Sequence, residues 1–296
     1  MISPQKYSTA KAFRVALEAR LKQIANNEHI DLQRLRRLVA FDRLLARIFQ
    51  SQEKRWVLKG GYAMELRMEE ARTTKDIDLV IEGPKQTPRS DELLNDTLLE
   101  ELREQASKDL GDYFVFMVGL SIMDIDAAPY GGARYPVDAR MDGRTFVKFH
   151  LDIGVGDAVM EPLESTQTRD WLGFAGIDPP IIELLSKEQQ FAEKLHAYIL
   201  PGRIRPNSRV KDLIDIVLLL QRGGLKRKRI KESLDVVFSR RKTHNLPNNI
   251  NPPPANWRLI FEKMAGDCNV NIDIDEAFKV LEDFYKKFKE GIGITS

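Results

Sequence analysis

A chain of 296 residues, 43% hydrophobic and 30% charged, has enough apolar material for one large domain or two medium ones. Its net charge of +2 excludes a chain-wide polycation, so an anionic partner would have to be met by a local patch. The single cysteine, Cys268, excludes an intramolecular disulfide framework and a cysteine-cluster zinc site, and fits a reducing cytoplasm. No apolar run approaches the about 18 residues of a membrane span, and MISPQKYSTAKAF carries no signal-peptide core, so no membrane partner is expected.

The N-terminal region predicts two helices. Phe13, Leu17, Leu21 and Ile24 recur near a 3.6 period over 9–26. Asp31 is an N-cap for a second helix to residue 50, with an apolar stripe through Leu35, Val39, Phe41 and Ile48. Its arginines Arg34, Arg36, Arg37, Arg43 and Arg47 form either a solvated face or a phosphate contact. A short strand at 56–59, a helix at 61–68 and a strand at 76–82 follow, then a break at Glu82-Gly83-Pro84-Lys85. Ser90 or Asp91 caps a helix over 91–109, and 113–122 has the character of a strand. Asp142-Gly143 is a favoured two-residue turn joining strands 136–141 and 144–153.

Gly173, Gly176, Pro179 and Pro180 mark a soft boundary, which divides the chain into 1–175 and a helical domain, 176–296. The capping box Ser186-x-x-Gln189 opens a helix to about Leu200. Further helices are expected at 209–221, 225–239, 256–264 and 274–289, with a Pro/Asn-rich loop from Asn245 to Pro254.

The chemistry is concentrated in Trp56-Val-Leu-Lys-Gly-Gly-Tyr-Ala63 and Thr73-Thr-Lys-Asp-Ile-Asp-Leu-Val-Ile81. Gly60 and Gly61 permit a tight turn and a close approach of backbone to a ligand. On a strand, residues two apart share a face, so Asp76 and Asp78 project together. Paired carboxylates suit a divalent cation, and oxygen-only ligation suits Mg2+. Asp152 sits on the polar face of the return strand with Lys148 and His150, and Asp157 follows it closely.

A Gly-Gly turn, a short helix and then Asp-x-Asp on the next strand resemble the DNA polymerase beta-type nucleotidyltransferase superfamily. The wording LKGGYAMEL…RTTKDIDLVI is similar to its AbiEii/AbiGii toxins, the MenT-like family. The resemblance implies an α/β fold with a short mixed sheet and a C-terminal helical domain completing the cleft. It implies Mg2+ on Asp76 and Asp78, with a third carboxylate at Asp152 or, as runner-up, Asp157. Gly60, Gly61 and Thr74 would approach the nucleotide. The motifs Glu193-Lys194-Leu195 and Arg209-x-x-Asp212-x-x-Asp215 match the family's second half: Lys194 as a fixed cation for the triphosphate, Asp212 as its orienting partner or as a base. Tyr62 stands where many members have a small hydroxyl residue, which would alter nucleotide placement.

The implied activity is transfer of a nucleotide from an NTP to an RNA hydroxyl, with the tRNA 3′ end as acceptor. The implied role is a cytoplasmic toxin with a cognate antitoxin, acting in abortive infection or phage defence. Residues 201–245 hold thirteen Lys/Arg against four acids, a local excess that favours a polyanion such as tRNA. Two other classes use the same residues: protein nucleotidylation or kinase chemistry, and a non-catalytic RNA-binding or antitoxin module.

Overall fold

The computed structural model describes residues 6–50, 56–68, 71–81, 91–125, 128–201, 209–268 and 270–290. The expected break at 82–85, the cap at Ser90, and Gly202, Arg203 and Arg205 lie outside the described residues. The chain divides into two compact units. The first comprises 1–62, 74–157 and 164–184, and the second 63–73, 158–163 and 185–296.

The first unit is built on a mixed sheet. In chain order its strands are β1 (Trp56–Lys59), β2 (Asp76–Ile81), β3 (Val115–Val118), β4 (Met123–Asp124), β5 (Gly132–Met141), β6 (Arg144–Val155), β7 (Glu164–Gln167) and β8 (Ile181–Leu184). They lie in the order β3-β5-β6-β2-β1-β8-β7, with β4 beside β5. β2 runs parallel to β6 and β1 parallel to β8, while the other pairs are antiparallel. The β5–β6 hairpin turns at Asp142 and Gly143, both at positive φ, as a type I′ turn requires.

Two strand expectations change. The strand expected over 113–122 is confined to Val115–Val118, because Gly119 separates it from the short β4. The region after 173 is not wholly helical: Ile181–Leu184, directly after Pro179-Pro180, pairs with β1 and β7.

Helices α1 (Ala10–Glu28), α2 (Leu32–Ile48) and α4 (Asp91–Ala106) complete the first unit; α3 (Gly60–Arg67) begins in it and continues in the second. The Asp31 carboxylate accepts from the Arg34 amide at 2.8 Å and caps α2. Phe41 of α2 meets the Phe149 ring of β6 edge-on, with centroids 4.8 Å apart. Arg43 and Arg47 are neither a solvated face nor a phosphate contact. They turn inward onto Asp112, with Arg47 gripping both of its oxygens at 2.8 and 2.6 Å.

The second unit is helical: α5 (Lys187–Tyr198), α6 (Val210–Arg222), α7 (Arg227–Arg241), α8 (Arg258–Asp267) and α9 (Ile274–Glu290). Its core joins Phe191 and Leu195 of α5 to Leu213 and Val217 of α6, Leu234 of α7, Phe261 of α8 and Leu281 of α9. Ser186 caps α5 by accepting from the Gln189 amide at 3.3 Å. The Gln189 side chain bonds the Ala158 carbonyl and the Met160 amide, tying 158–163 to α5.

Candidate active site

Strand register assembles the first unit's site. Lys59 of β1 stands opposite Asp78 of β2, Asp78 stands beside Asp152 of β6, and Asp76 stands beside His150. Arg134 of β5 stands opposite Asp152. Registered partners and alternate residues share a face, so all of these side chains project from one side of the sheet.

Contacts among them are specific. Arg134 donates from Nε to Asp152 Oδ1 at 2.7 Å and from Nη2 to Oδ2 at 2.6 Å, and Nη2 lies 3.6 Å from Asp76 Oδ2. The fork with Asp152, reinforced by the charges of Asp76 and Asp78, holds the guanidinium firmly in its cationic form. His150 Nδ1 lies 3.2 Å from Asp76 Oδ1. Asp157, 5% exposed, forms an ion pair with Lys59 at the end of β1.

Gly60 has a local reason to be glycine. Its φ is +70°, and a Cβ there would stand 1.9 Å from Asp78 Oδ2. The missing side chain thus admits the Asp78 carboxylate to the start of α3, where the Gly61 amide approaches Oδ2 at 3.4 Å. The sequence suggested a close approach to a ligand at this turn; the close approach present in the fold is to Asp78. Thr74 is buried and donates its hydroxyl to the Asp76 carbonyl at 3.3 Å. Tyr62 does not face this surface chemistry. It is 1% exposed and donates to Asp42, which also accepts from Trp171 Nε1 at 2.8 Å. Burial pushes the Asp42 carboxyl up to about 7 despite those donors.

Asp76 and Asp78 offer a hard, oxygen-only donor pair on one face, the chemistry that suits a divalent cation such as Mg2+. Asp152 lies next to them, with both oxygens engaged by Arg134. Among the described residues, no group of three or more His, Cys, Asp or Glu side chains stands in an arrangement ready to hold a metal.

The second unit gathers the other two expected residues into a compact ionic cluster. Lys194 Nζ lies 2.9 Å from Asp212 Oδ1 and 2.7 Å from Asp215 Oδ2. Arg209 bonds Asp212 at 3.1 Å, and Arg72 forks onto Asp215 at 3.1 and 3.2 Å. Burial opposes the charge on Lys194, but the two carboxylates outweigh it and hold the ammonium above its ordinary range. Burial likewise works against ionised Asp212, and Lys194 and Arg209 overcome it, keeping the carboxyl below its usual range. Asp215 is wholly buried and clamps two cations. Arg72 had no distinguishing sequence signal beyond its place before the Thr-Thr pair.

Several cations of the basic strip are used inside the fold. Arg227 donates to the Lys287 and Phe288 carbonyls, and Arg229 to those of Met160, Glu161 and Pro162. Lys226, Lys228 and Lys231 are exposed.

Comparison with known folds defines the class. The nucleotidyltransferase toxin MenT4 of Mycobacterium tuberculosis H37Rv superposes with a TM-score of 0.53 at 17% identity, over 94% of this chain and 98% of that one. A Helicobacter pylori protein provisionally assigned as a nucleotidyltransferase superposes with a TM-score of 0.50 at 14% identity, over 90% of this chain and all of the other. At these identities the likeness is one of fold, and the fold is that of a nucleotidyltransferase. The family model for the AbiEii nucleotidyl transferase toxin of type IV toxin–antitoxin systems matches residues 43–283. The chain therefore belongs to the AbiEii nucleotidyltransferase toxin family. No curated protein matches it. Among the described residues, no helix is long and apolar enough to cross a membrane.

Proposed function

We propose that this toxin transfers a nucleotide from an NTP to an RNA hydroxyl, with the tRNA 3′ end as acceptor, and that it acts in the cytoplasm, with a cognate antitoxin as partner, in a toxin–antitoxin or phage-defence system. The observation that carries the reading is the alignment of Asp76, Asp78 and Asp152 on one face of two adjacent parallel strands. In the proposed reaction the acceptor oxygen bonds to the α-phosphorus, the bond to the bridging α–β oxygen breaks, and pyrophosphate leaves. Asp76 and Asp78, with Asp152 as third carboxylate, would hold Mg2+, which when bound neutralises phosphate charge. Arg134 is kept cationic beside them by Asp152 and adds a fixed positive charge on that face.

Gly60 lets Asp78 take its position, and Gly61 and Thr74 border the same face as nucleotide-side groups. Lys194, by its resemblance to the family's motif, is proposed as a cation for phosphate. Asp212 has its oxygens on Lys194 and Arg209 and is held as a stable anion, which favours orienting the lysine over taking a proton.

The test follows the label. Purified protein is incubated with tRNA, Mg2+ and each NTP carrying label at α or at γ. Entry of α-label into RNA, lost when Mg2+ is chelated, is the expected result. Movement of γ-label would make the protein a kinase, and α-label on protein would make it a protein nucleotidyltransferase. With no label moved, the binding-module reading would replace this one.

A further inference from the structure

A groove of about 860 Å3 opens on the first unit alongside the carboxylate pair, with Asp76 and His150 at one border. Four cations in it have no carboxylate partner among the described residues: Arg37 of α2, Lys75 at the entry to β2, Lys148 of β6, and Arg103 of α4, which donates to the Val118 carbonyl. Lys75 and Lys148 are exposed. Arg37 is half-buried, and its Nε is shut off from solvent with no hydrogen-bond partner. That nitrogen cannot meet a ligand, so any contact from Arg37 is made by the more exposed end of its guanidinium. Two acids line the groove, and one of them, Asp138, is the cross-strand partner of Lys148. Asp138 is engaged by Arg140 and Thr145, and Asp76 is flanked by Arg134 and His150.

The floor supplies a second kind of contact. Pro136 and His150 are registered partners on β5 and β6, so their rings lie side by side on the groove face. The His150 side chain is 40% exposed. One aromatic ring beside a proline, among cations with no carboxylate partner among the described residues, offers a single-stranded polynucleotide sites for its phosphates and a face for a base.

We propose that this groove, and not the basic strip of the second unit, seats the acceptor strand, binding the backbone of a single-stranded polynucleotide through Arg37, Lys75 and Lys148 and stacking a base on Pro136 and His150. The inference rests on the nucleotidyl-transfer reading for its orientation: a strand lying here brings its terminal hydroxyl toward Asp76. An acidic protein segment is the competing occupant, since it would use the cations but has no need of the ring floor.

The experiment is equilibrium binding of a 5′-fluorescent single-stranded RNA oligonucleotide to the full chain, without NTP and with EDTA, across a series of salt concentrations. Wild type is compared with Arg37→Ala, Lys75→Ala, Lys148→Ala and the triple variant, with melting curves for each. Each lost phosphate contact should lower the slope of log affinity against log salt by about 0.7, so the triple variant should lose about 2. His150→Ala should weaken binding without changing the slope. Lys148→Glu, on an exposed strand position, keeps the test valid if Arg37→Ala fails to fold. Unchanged affinity and slope in the triple variant, with loss instead in Lys226→Ala/Lys228→Ala/Lys231→Ala, would overturn the proposal in favour of the strip. Displacement of the RNA by polyglutamate, together with no loss in His150→Ala, would overturn it in favour of an acidic protein partner. Because no transfer is measured, groove-dependent RNA binding in a protein that moves no α-label would defeat the catalytic reading and leave the groove standing. Transfer with groove-independent binding would do the reverse.

Discussion

Arg47 and Arg134 each grip an aspartate through a guanidinium fork, in the same unit and with nearly the same distances. Arg47 and Asp112 are both wholly buried, and Arg47 also donates to the carbonyls of Arg43 and Phe114. Arg134 is 27% exposed and Asp152 14%, and around them stand Asp76, Asp78 and His150 on an open strand face. The first fork joins α2 to the segment before β3. The second holds a cation and a carboxylate where a ligand can meet them. Burial, and what else stands on the same face, separates a charged pair that builds the fold from one that can do chemistry.

That contrast can be broken by mutation. Asp112→Ala strands two buried guanidinium groups and should cost about 3–5 kcal/mol in chemical denaturation, the range for removing one partner of a buried pair. A loss below about 1 kcal/mol would mean the cluster is not structural. Gly60→Ala should cost about 1–2 kcal/mol from the left-handed backbone alone, and its Cβ would also push Asp78 out of place. Transfer should therefore fall far more than stability; equal falls would remove the argument that Gly60 exists for Asp78. Asp152→Ala, on the part-buried fork, should cost less than Asp112→Ala, because Arg134 keeps solvent and the Asp76 carboxylate, and still suppress transfer.

A separate effect is one of pH. Asp42 is raised to about 7 when folded, against an ordinary value near about 4 when unfolded. The folded protein then binds more protons in that window, so this group's stabilisation is full below about pH 4 and is lost as pH rises through about 7. Asp112 and Asp212 are lowered by their cations and act in the opposite sense: their contribution is present above about pH 4 and is lost on further acidification. Denaturation midpoints across pH should show the Asp42 slope flatten in Asp42→Asn, while the acid-side loss stays.

Much of this was legible in the chain. The hairpin followed from Asp142-Gly143 between alternating runs, and α2 from Asp31 and its apolar stripe. Asp76 and Asp78 stood out because their pairing depends only on the two-residue period of a strand. What escaped depends on register between distant segments. Arg134 had no signal of its own until β5 met β6 and set it against Asp152, and His150 looked like an ordinary surface residue until β2 ran parallel to β6 and brought Asp76 beside it. The strand Ile181–Leu184 was hidden by its four-residue length and by the prolines before it, and tertiary pairing with β1 and β7 makes it a strand. Tyr62 was misjudged because its position in a motif said nothing of which way it turns; it turns inward, to Asp42.

If the strand-face carboxylates carry chemistry and the buried fork does not, Asp78→Asn, assayed for α-label transfer to RNA and for thermal melting beside wild type, should lose about a thousandfold in transfer, the upper end for removing one preorganised electrostatic contact, with an unchanged melting temperature. Wild-type transfer by a normally folded Asp78→Asn protein would contradict that division.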